Sequence, residues 1–234
     1  MVFLPVAEEH YEILKSFLTP YEYYCASLCS SVRKKSKNIY IVLKSGAGNS
    51  LKNENDIFGV IYLNLSMLFC LPFLKENDSD FEHSFLNFIQ DKKIKCVDGE
   101  EKAAQIINKN LQKTLIHPTM VNEYFLMTKE DDFLLPPPSS LLSMGEGIFC
   151  CNANHLEDLF DLQKSYLKEE VAQGMETPTE LYIKSNLKML LRTQKVFAIE
   201  TDGKFVAKVN TNAIGWNWVQ IGGVYTHLQY RRSG

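Results

Sequence analysis

The feature that most constrains the fold is a run of prolines near the middle of the chain. Residues 136–138 are all proline, and two serines follow them. Proline has no amide hydrogen and a fixed φ, so this run cannot continue a helix or a central strand. We therefore predict a linker over residues 133–146, between a domain at 1–132 and another at 147–234. The alternative is a long surface loop within one domain.

Composition limits the class of protein. With 45% hydrophobic and 12% aromatic residues, the chain of 234 residues can bury a sizeable core. The formal net charge of -3 disfavours a general nucleic-acid or membrane-surface binder, because such proteins carry a basic excess. No apolar run reaches the roughly 18 residues that a membrane span requires, and the first residues lack the features of a secretory signal. We expect a cytoplasmic protein without nucleic-acid or membrane partners.

The cysteines predict neither a disulfide framework nor a metal site. All six are scattered along the chain, mostly among apolar neighbours. Cys25 and Cys29 share one face of a predicted helix, but no second Cys/His pair accompanies them. We expect reduced, mostly buried thiols and no bound metal.

In the first domain, helical and strand patterns alternate. The expected elements are two helices within residues 7–32, strands at 38–44 and within 57–73, a helix at 78–90, a strand at 94–97, a helix at 100–115 and a strand at 121–128. The glycines at 46 and 48 lack the Gly-Lys-Ser/Thr ending of a phosphate-binding loop and favour a hairpin connection. This order predicts an α/β (α+β) fold in which helices flank a mixed sheet.

The second domain is predicted to have the order β-α-α-β-β-β. The expected elements are a strand at 147–152, a helix capped by Asn154, a helix at 179–192, and strands at 195–200, 204–211 and 216–225. Asp202-Gly203 is typical of a tight turn between antiparallel strands. The sheet should therefore be mostly antiparallel.

The end of the chain predicts a strand that breaks into a basic loop. Strand-forming residues between 219 and 224 surround Gly222 and Gly223, which mark a kink or a close approach to the backbone. The final Tyr-Arg-Arg-Ser-Gly, residues 230–234, is typical of the start of an anion-holding turn.

Residues 147–234 resemble the first half of a GNAT-superfamily acyl-CoA N-acyltransferase. The likeness lies in Ile221–His227 and in Tyr230–Gly234, whose Arg-x-x-Gly matches the first half of the family's Gln/Arg-x-x-Gly-x-Gly/Ala loop. Residues 166–170, at the end of the first helix of that domain, are also similar. The resemblance further suggests that residues 1–132 are a diverged copy of the same fold without a phosphate loop, giving a tandem arrangement.

The resemblance implies acetyl-CoA as cosubstrate. In this family the strand before the loop splays from its neighbour, so its free backbone groups pair with the pantetheine arm. The loop amides and arginines then bind the pyrophosphate. The implied cofactor-binding residues are Val224, Tyr225, Thr226, Arg231, Arg232, Ser233 and Gly234.

Acyl transfer to an amine needs a base for the amine, a backbone N–H that polarises the acyl carbonyl, and an acid for the leaving thiolate. The candidate catalytic residues are Glu170, Glu200 and Tyr225, with Glu169 and His227 as further candidates. Each also has a structural interpretation: solvated charges for the glutamates, a core position for the tyrosine and a turn for the histidine. The acceptor is an unidentified amine-bearing small molecule or peptide.

The family's pattern continues past the first glycine of the loop, at Gly234. We therefore expect the second domain to be incomplete, with an exposed sheet edge that a second copy of the chain or the first domain would cover. The alternative function is a catalytically silent binding or interaction module. A nucleic-acid adaptor that uses the basic residues 33–35 is disfavoured by the net charge.

Overall fold

The protein divides into two compact units. The structure, a computed structural model, describes residues 1–48, 50–114, 116–124, 147–171 and 178–232. One unit comprises Met1–Thr128 with Ile214–Trp218, and the other comprises Lys129–Ala213 with Val219–Gly234. The predicted linker lies outside the described residues, so the predicted domain bounds stay a prediction.

A five-stranded sheet forms the centre of the first unit. Its strands are β1 (Val2–Pro5), β2 (Ile39–Leu43), β3 (Ile57–Asn64), β4 (Ser66–Cys70) and β5 (Cys96–Asp98). They lie in sequence order across the sheet. The first four pair antiparallel, whereas β5 pairs with β4 in parallel, which requires a crossover connection.

Helices cover both faces of this sheet. They are α1 (Tyr11–Leu18), α2 (Ala26–Arg33), α3 (Ser79–Ile89) and α4 (Glu101–Gln112). Successive residues of a strand point to opposite faces, and in β2 Ile41 packs in the cluster with α1 and α2 while Val42 packs in the cluster with α3 and α4. Because both faces are buried, the central strands are almost continuously apolar.

Two helix starts in the first unit follow directly from acidic caps. The Asp78 carboxylate accepts a hydrogen bond from the Phe81 amide at 2.9 Å, and that of Glu100 accepts one from the Ala103 amide at 3.0 Å. These bonds satisfy amides that the first turn of a helix leaves unpaired. The predicted helices at 78–90 and 100–115 are thereby confirmed.

The second unit is a four-stranded sheet with helices against one face. Its elements are β6 (Gly147–Cys151), α5 (Leu156–Tyr166), a π-helical turn (Leu167–Val171), α6 (Glu180–Thr193), β7 (Val196–Thr201), β8 (Lys204–Ile214) and β9 (Val219–Thr226). The sheet order is β6-β7-β8-β9, and β6–β7 and β7–β8 are antiparallel. Since residues 215–218 connect β8 to β9 directly and His227 N donates to Val206 O at 2.8 Å, this pair is antiparallel as well.

The core of the second unit lies between the sheet and its two α-helices. Leu159 and Leu187 from the helices pack with Val196 and Ala198 from β7 and with Tyr225 from β9. The predicted fold class is confirmed: the protein is a mixed α/β structure with two mostly antiparallel sheets flanked by helices. Both units also repeat the order β-α-α-β-β-β.

Four details of the predicted elements are wrong. β1 was not predicted, because its apolar run is short and ends in proline. Val121–Tyr124 is not a strand and its side chains are exposed, while the rest of that predicted strand, 125–128, lies outside the described residues. Asn154 does not cap α5; Asn152 caps a short 3-10 turn instead, accepting a hydrogen bond from the Asn154 amide at 2.9 Å. β9 begins at Val219 rather than at Trp216.

The late start of β9 has a physical cause within the first unit. Glu22 is completely buried, and its carboxylate accepts hydrogen bonds from the backbone amides of Trp216, Asn217 and Trp218. Arg33 donates to Gly215 O at 2.8 Å. Amides that point at one carboxylate cannot join a strand ladder, so these residues form a loop.

We predict that Glu22→Gln lowers the free energy of unfolding by about 1–3 kcal/mol, because one carboxylate oxygen becomes an N–H₂ group facing backbone donors. Urea denaturation measures this change. Glu9→Gln, at an exposed glutamate, is the matched control and should stay within about 0.5 kcal/mol of the parent. Equal stability of the two variants would contradict the prediction.

Candidate functional site

The candidate site of the second unit is built around Gly223, where the backbone within β9 leaves extended geometry, which we call the break in β9. Gly223 has φ +58, in the left-handed region that only glycine adopts without strain. A β-carbon at Gly223 would overlap the side chain of Asn210, and one at Gly222 would overlap that of Asn212. The two glycines therefore let polar side chains of β8 pack directly on the backbone of β9.

Lys208 lies beside this break with its amine out of water. The residue is 3% exposed, and Nζ donates a hydrogen bond to Gly223 O at 2.9 Å. The amine also lies 4.7 Å from the centre of the Tyr166 ring on α5. Burial disfavours the charged form and lowers the pKa of Lys208 to about 8.

A second polar cluster holds the end of β9. The Tyr225 hydroxyl donates to Glu169 Oε1 at 2.8 Å, and Arg231 Nη2 donates to Glu169 Oε2 at 2.7 Å. Arg231 Nε donates to Thr226 O at 2.9 Å, and the guanidinium lies 5.2 Å from the centre of the Tyr225 ring. The glutamate thus holds both the last buried side chain of β9 and the basic residue that follows the strand.

Glu169 belongs to the π-helical turn that continues α5. Such wider turns are rare and occur frequently at functional sites. Sequence periodicity at 3.6 residues per turn does not reveal where a π turn begins, so it cannot show which of the adjacent glutamates, Glu169 or Glu170, lies towards the sheet.

The protonation states in this cluster follow from its contacts. The hydrogen bonds from Arg231 and then from Tyr225 lower the pKa of Glu169, so its carboxylate is ionised at neutral pH. Burial, followed by the bond to Glu169, raises the pKa of Tyr225, which therefore keeps its proton. The cluster is a charged pair capped by a neutral phenol.

The structure brings only some of the predicted catalytic residues together. Tyr225 contacts Glu169 rather than Glu170, which is exposed. Glu200 lies on β7, with β8 between it and β9. His227 Nδ1 accepts a hydrogen bond from the Gln229 amide at 3.4 Å, as a turn residue would.

The predicted cofactor-binding residues that the structure describes lie at the end of β9 and in the turn after it. Val224 is 62% exposed, Thr226 is half-buried and its carbonyl is bonded to Arg231, and Arg232 is exposed with φ +65. Ser233 and Gly234 lie outside the described residues. Among the described strands, β9 has β8 as its sheet neighbour, and its other edge is open.

Lys208 and Asn210 were not among the residues predicted from the sequence. A signal was present, because two polar residues stand at alternate positions of a strand and so on one face of it, the face that packs on the helices. Lysine and asparagine on a core face are unusual enough to mark a buried polar site.

Two other kinds of site are not found in the described parts of the chain. No group of three or more His, Cys, Asp or Glu side chains in these residues is arranged to hold a metal ion. None of the described helices combines the length and apolar character needed to cross a membrane.

The chain is similar to some solved structures but to no known sequence family. No protein-family model matches the chain, and no curated protein matches it. A solved structure described as a possible acetyltransferase from Clostridium difficile is similar at 22% identity, over 38% of this chain and 62% of its own, with a TM-score of 0.33. A probable N-acyltransferase from Enterococcus faecalis is similar at 17% identity, over 38% of this chain and 22% of its own, with a TM-score of 0.29. The chain spans less than two thirds of either protein.

A third solved structure covers the whole chain. A Drosophila protein matches 100% of this chain and 80% of its own length, with a TM-score of 0.54 and 8% sequence identity. Identity this low speaks for the fold alone. The chain is therefore similar in fold to this solved protein.

We predict that Gly223→Ala destabilises the protein more than Gly203→Ala does. Both positions have positive φ, so both variants lose about 1–2 kcal/mol to backbone strain. Only the β-carbon at position 223 also overlaps a neighbour, Asn210, which adds about 1–3 kcal/mol of overpacking.

Urea denaturation measures the strain and overpacking contributions in the two single variants. It is repeated on the double variant that combines Gly223→Ala with Asn210→Gly. The second substitution should recover most of the additional loss, because it removes the overlapping side chain. The prediction is wrong if Gly203→Ala and Gly223→Ala are equally stable.

Proposed function

We propose that the chain transfers an acetyl group from acetyl-CoA to the nitrogen of an amine, by direct attack. The observation that carries the proposal is β9 itself: a strand with one open edge, a glycine break and an arginine-held turn at its end. This is the backbone that the sequence resemblance to GNAT-superfamily enzymes requires for an acyl-CoA ligand. Two solved structures described as acyltransferases are similar to parts of this chain, and extending that activity to it is part of the proposal.

The open edge of β9 suits the amide-rich arm of acetyl-CoA. An extended ligand can add to an exposed strand edge through main-chain hydrogen bonds. Val224 is exposed there, while the side chain of Tyr225 points into the core. The acyl end would then lie near the glycine break, and the phosphates near Arg231 and Arg232.

In the reaction, the amine nitrogen attacks the thioester carbonyl carbon, the carbon–sulfur bond breaks and an amide forms. The amine loses a proton to a base, for which Glu170 and Glu200 are the proposed residues. The leaving thiolate takes a proton and departs as the free thiol. Tyr225 keeps its proton at neutral pH, which is the state that an acid needs, and its bond to Glu169 also positions Arg231.

A catalytically silent binding module is the second candidate, and one observation favours it. The Arg231 guanidinium is already bonded to Glu169 and to the carbonyl of Thr226. An arginine held in this way has fewer donors left for phosphate. A module that keeps the fold with an incomplete cofactor site would fit this arrangement.

Titration calorimetry with acetyl-CoA, followed by an assay of thiol release with a panel of amines, tests the proposal. Binding with thiol release supports transfer, and binding without release for any amine supports the silent module. No binding at millimolar acetyl-CoA would contradict transfer and would support a silent module with an incomplete cofactor site. Acetyl-pantetheine, which lacks the nucleotide phosphates, serves as the probe for the strand-edge contact alone.

We predict that Arg232→Gln weakens the binding of acetyl-CoA about 10-fold, because a charge-assisted bond to phosphate is lost. Arg192→Gln, at an exposed arginine on α6, is the matched control and should leave the affinity unchanged. Binding of acetyl-pantetheine should not change in either variant. An unchanged affinity of Arg232→Gln for acetyl-CoA would remove this residue from the proposed phosphate site.

A further inference from the structure

The buried lysine of β8 has no part in the reaction steps given above, yet its burial is costly. An ammonium group moved out of water loses several kcal/mol of hydration unless it gains a partner. Lys208 Nζ is bonded to Gly223 O at 2.9 Å inside the second unit. Its partner is thus a backbone carbonyl at the break in β9.

The geometry of that carbonyl fixes the direction of the next amide. The described residues contain no cis peptide bond, and in a trans peptide the C=O and the N–H point in opposite directions. Because Gly223 O points at Lys208, the N–H of Val224 points away from it. The amide therefore faces away from the buried lysine, next to an exposed residue on the open strand.

We propose that Lys208 is a positioning residue, which orients and polarises the Gly223–Val224 peptide so that the Val224 N–H binds the thioester carbonyl oxygen. This inference rests on the proposed acetyl transfer. A cation on the carbonyl oxygen of a peptide withdraws electron density from its N–H, which makes that N–H a stronger donor. The donor then stabilises the negative charge that develops on the thioester oxygen during attack.

The effect of pH follows from the surroundings of the amine. Tyr166 faces Lys208 from α5, Tyr225 lies on the same face of the neighbouring strand, and Glu169 and Arg231 are bonded to Tyr225. Tyr225 titrates above its usual range, and Glu169 is already ionised. Burial sets the pKa of Lys208 at about 8, so the amine loses its charge as the pH rises through that value and the Val224 N–H becomes a weaker donor.

Selective isotope labelling can observe this peptide without any ligand. The sequence holds two Gly-Val peptides, Gly59-Val60 in β3 and Gly223-Val224 in β9. A chain made with carbonyl-carbon-13 glycine and nitrogen-15 valine therefore gives two resonances in a spectrum filtered for directly bonded carbon and nitrogen. The first, in β3 of the first unit, is an internal control.

We predict that the Gly223-Val224 resonance shifts with a midpoint near pH 8 and that the Gly59-Val60 resonance does not. The shift should vanish in Lys208→Met. The assignment of Lys208 to this peptide is wrong if the Gly223-Val224 resonance does not shift with pH in the parent chain. It is also wrong if the resonance shifts equally in Lys208→Met.

Kinetics then separates positioning from folding. Lys208→Met should lower kcat about 10-fold with little change in KM for acetyl-CoA, because a donor to the transition state is weakened but not removed. Lys204→Met, at an exposed lysine of the same strand, is the matched control. Lys208→Arg keeps its charge at every accessible pH, so its kcat relative to the parent should rise above pH 8.

The two ideas fail in different ways. If Lys208→Met transfers acetyl groups as fast as the parent chain, the proposed role of Lys208 is wrong. The proposed function is unaffected by that result. A parent chain that neither binds acetyl-CoA nor transfers acetyl groups overturns both, even if the labelled peptide titrates as expected. Should Lys208→Met fail to fold, the pH profile of Lys208→Arg decides alone.

Discussion

The hydrogen bond between the Lys208 ammonium and the Gly223 carbonyl is the contact on which the shape of β9 depends. A buried cation without a partner would cost several kcal/mol, and so would a buried backbone carbonyl without a donor. Each group satisfies the other at 2.9 Å. Asn210, packed where a β-carbon would lie, leaves glycine as the residue that fits at position 223. The lysine, the asparagine and the glycine are therefore stable as a set.

The end of β9 is held by a different set of interactions, made by a residue that follows α5. The π-helical turn after α5 carries Glu169 to the Tyr225 hydroxyl and to Arg231. Since Arg231 also bonds to Thr226 O, the chain direction after the strand is set by side chains rather than by a continuing ladder. The break in β9 and its end are thus held separately, one by a buried amine on β8 and the other by a carboxylate beyond α5. A ligand along the open edge would meet both.

Local signals in the sequence predicted those parts of the fold that neighbouring residues determine. The Asp78 cap, the helical periodicity after it and the Asp202-Gly203 turn, with φ +51 and +72, were all predictable in this way. The sequence also marked Gly222 and Gly223 correctly as positions where the backbone kinks or is closely approached. Glu169 could not be chosen over Glu170, because the choice depends on the π turn and on a contact across 56 residues of chain. The alternation of Lys208 with Asn210 was visible in the sequence, but the partner of Lys208 is a backbone atom, which no sequence pattern displays.

The repeated β-α-α-β-β-β order makes the two units comparable element by element, and it agrees with the proposed tandem arrangement. In the first unit the third strand is β3, whose Ile57, Val60 and Ile61 are buried apolar residues. The third strand of the second unit, β8, instead buries Lys208 and Asn210 against its neighbour. Strand β4, in the place of β9, has no glycine pair. A backbone break held by a buried cation is therefore a property of the second unit.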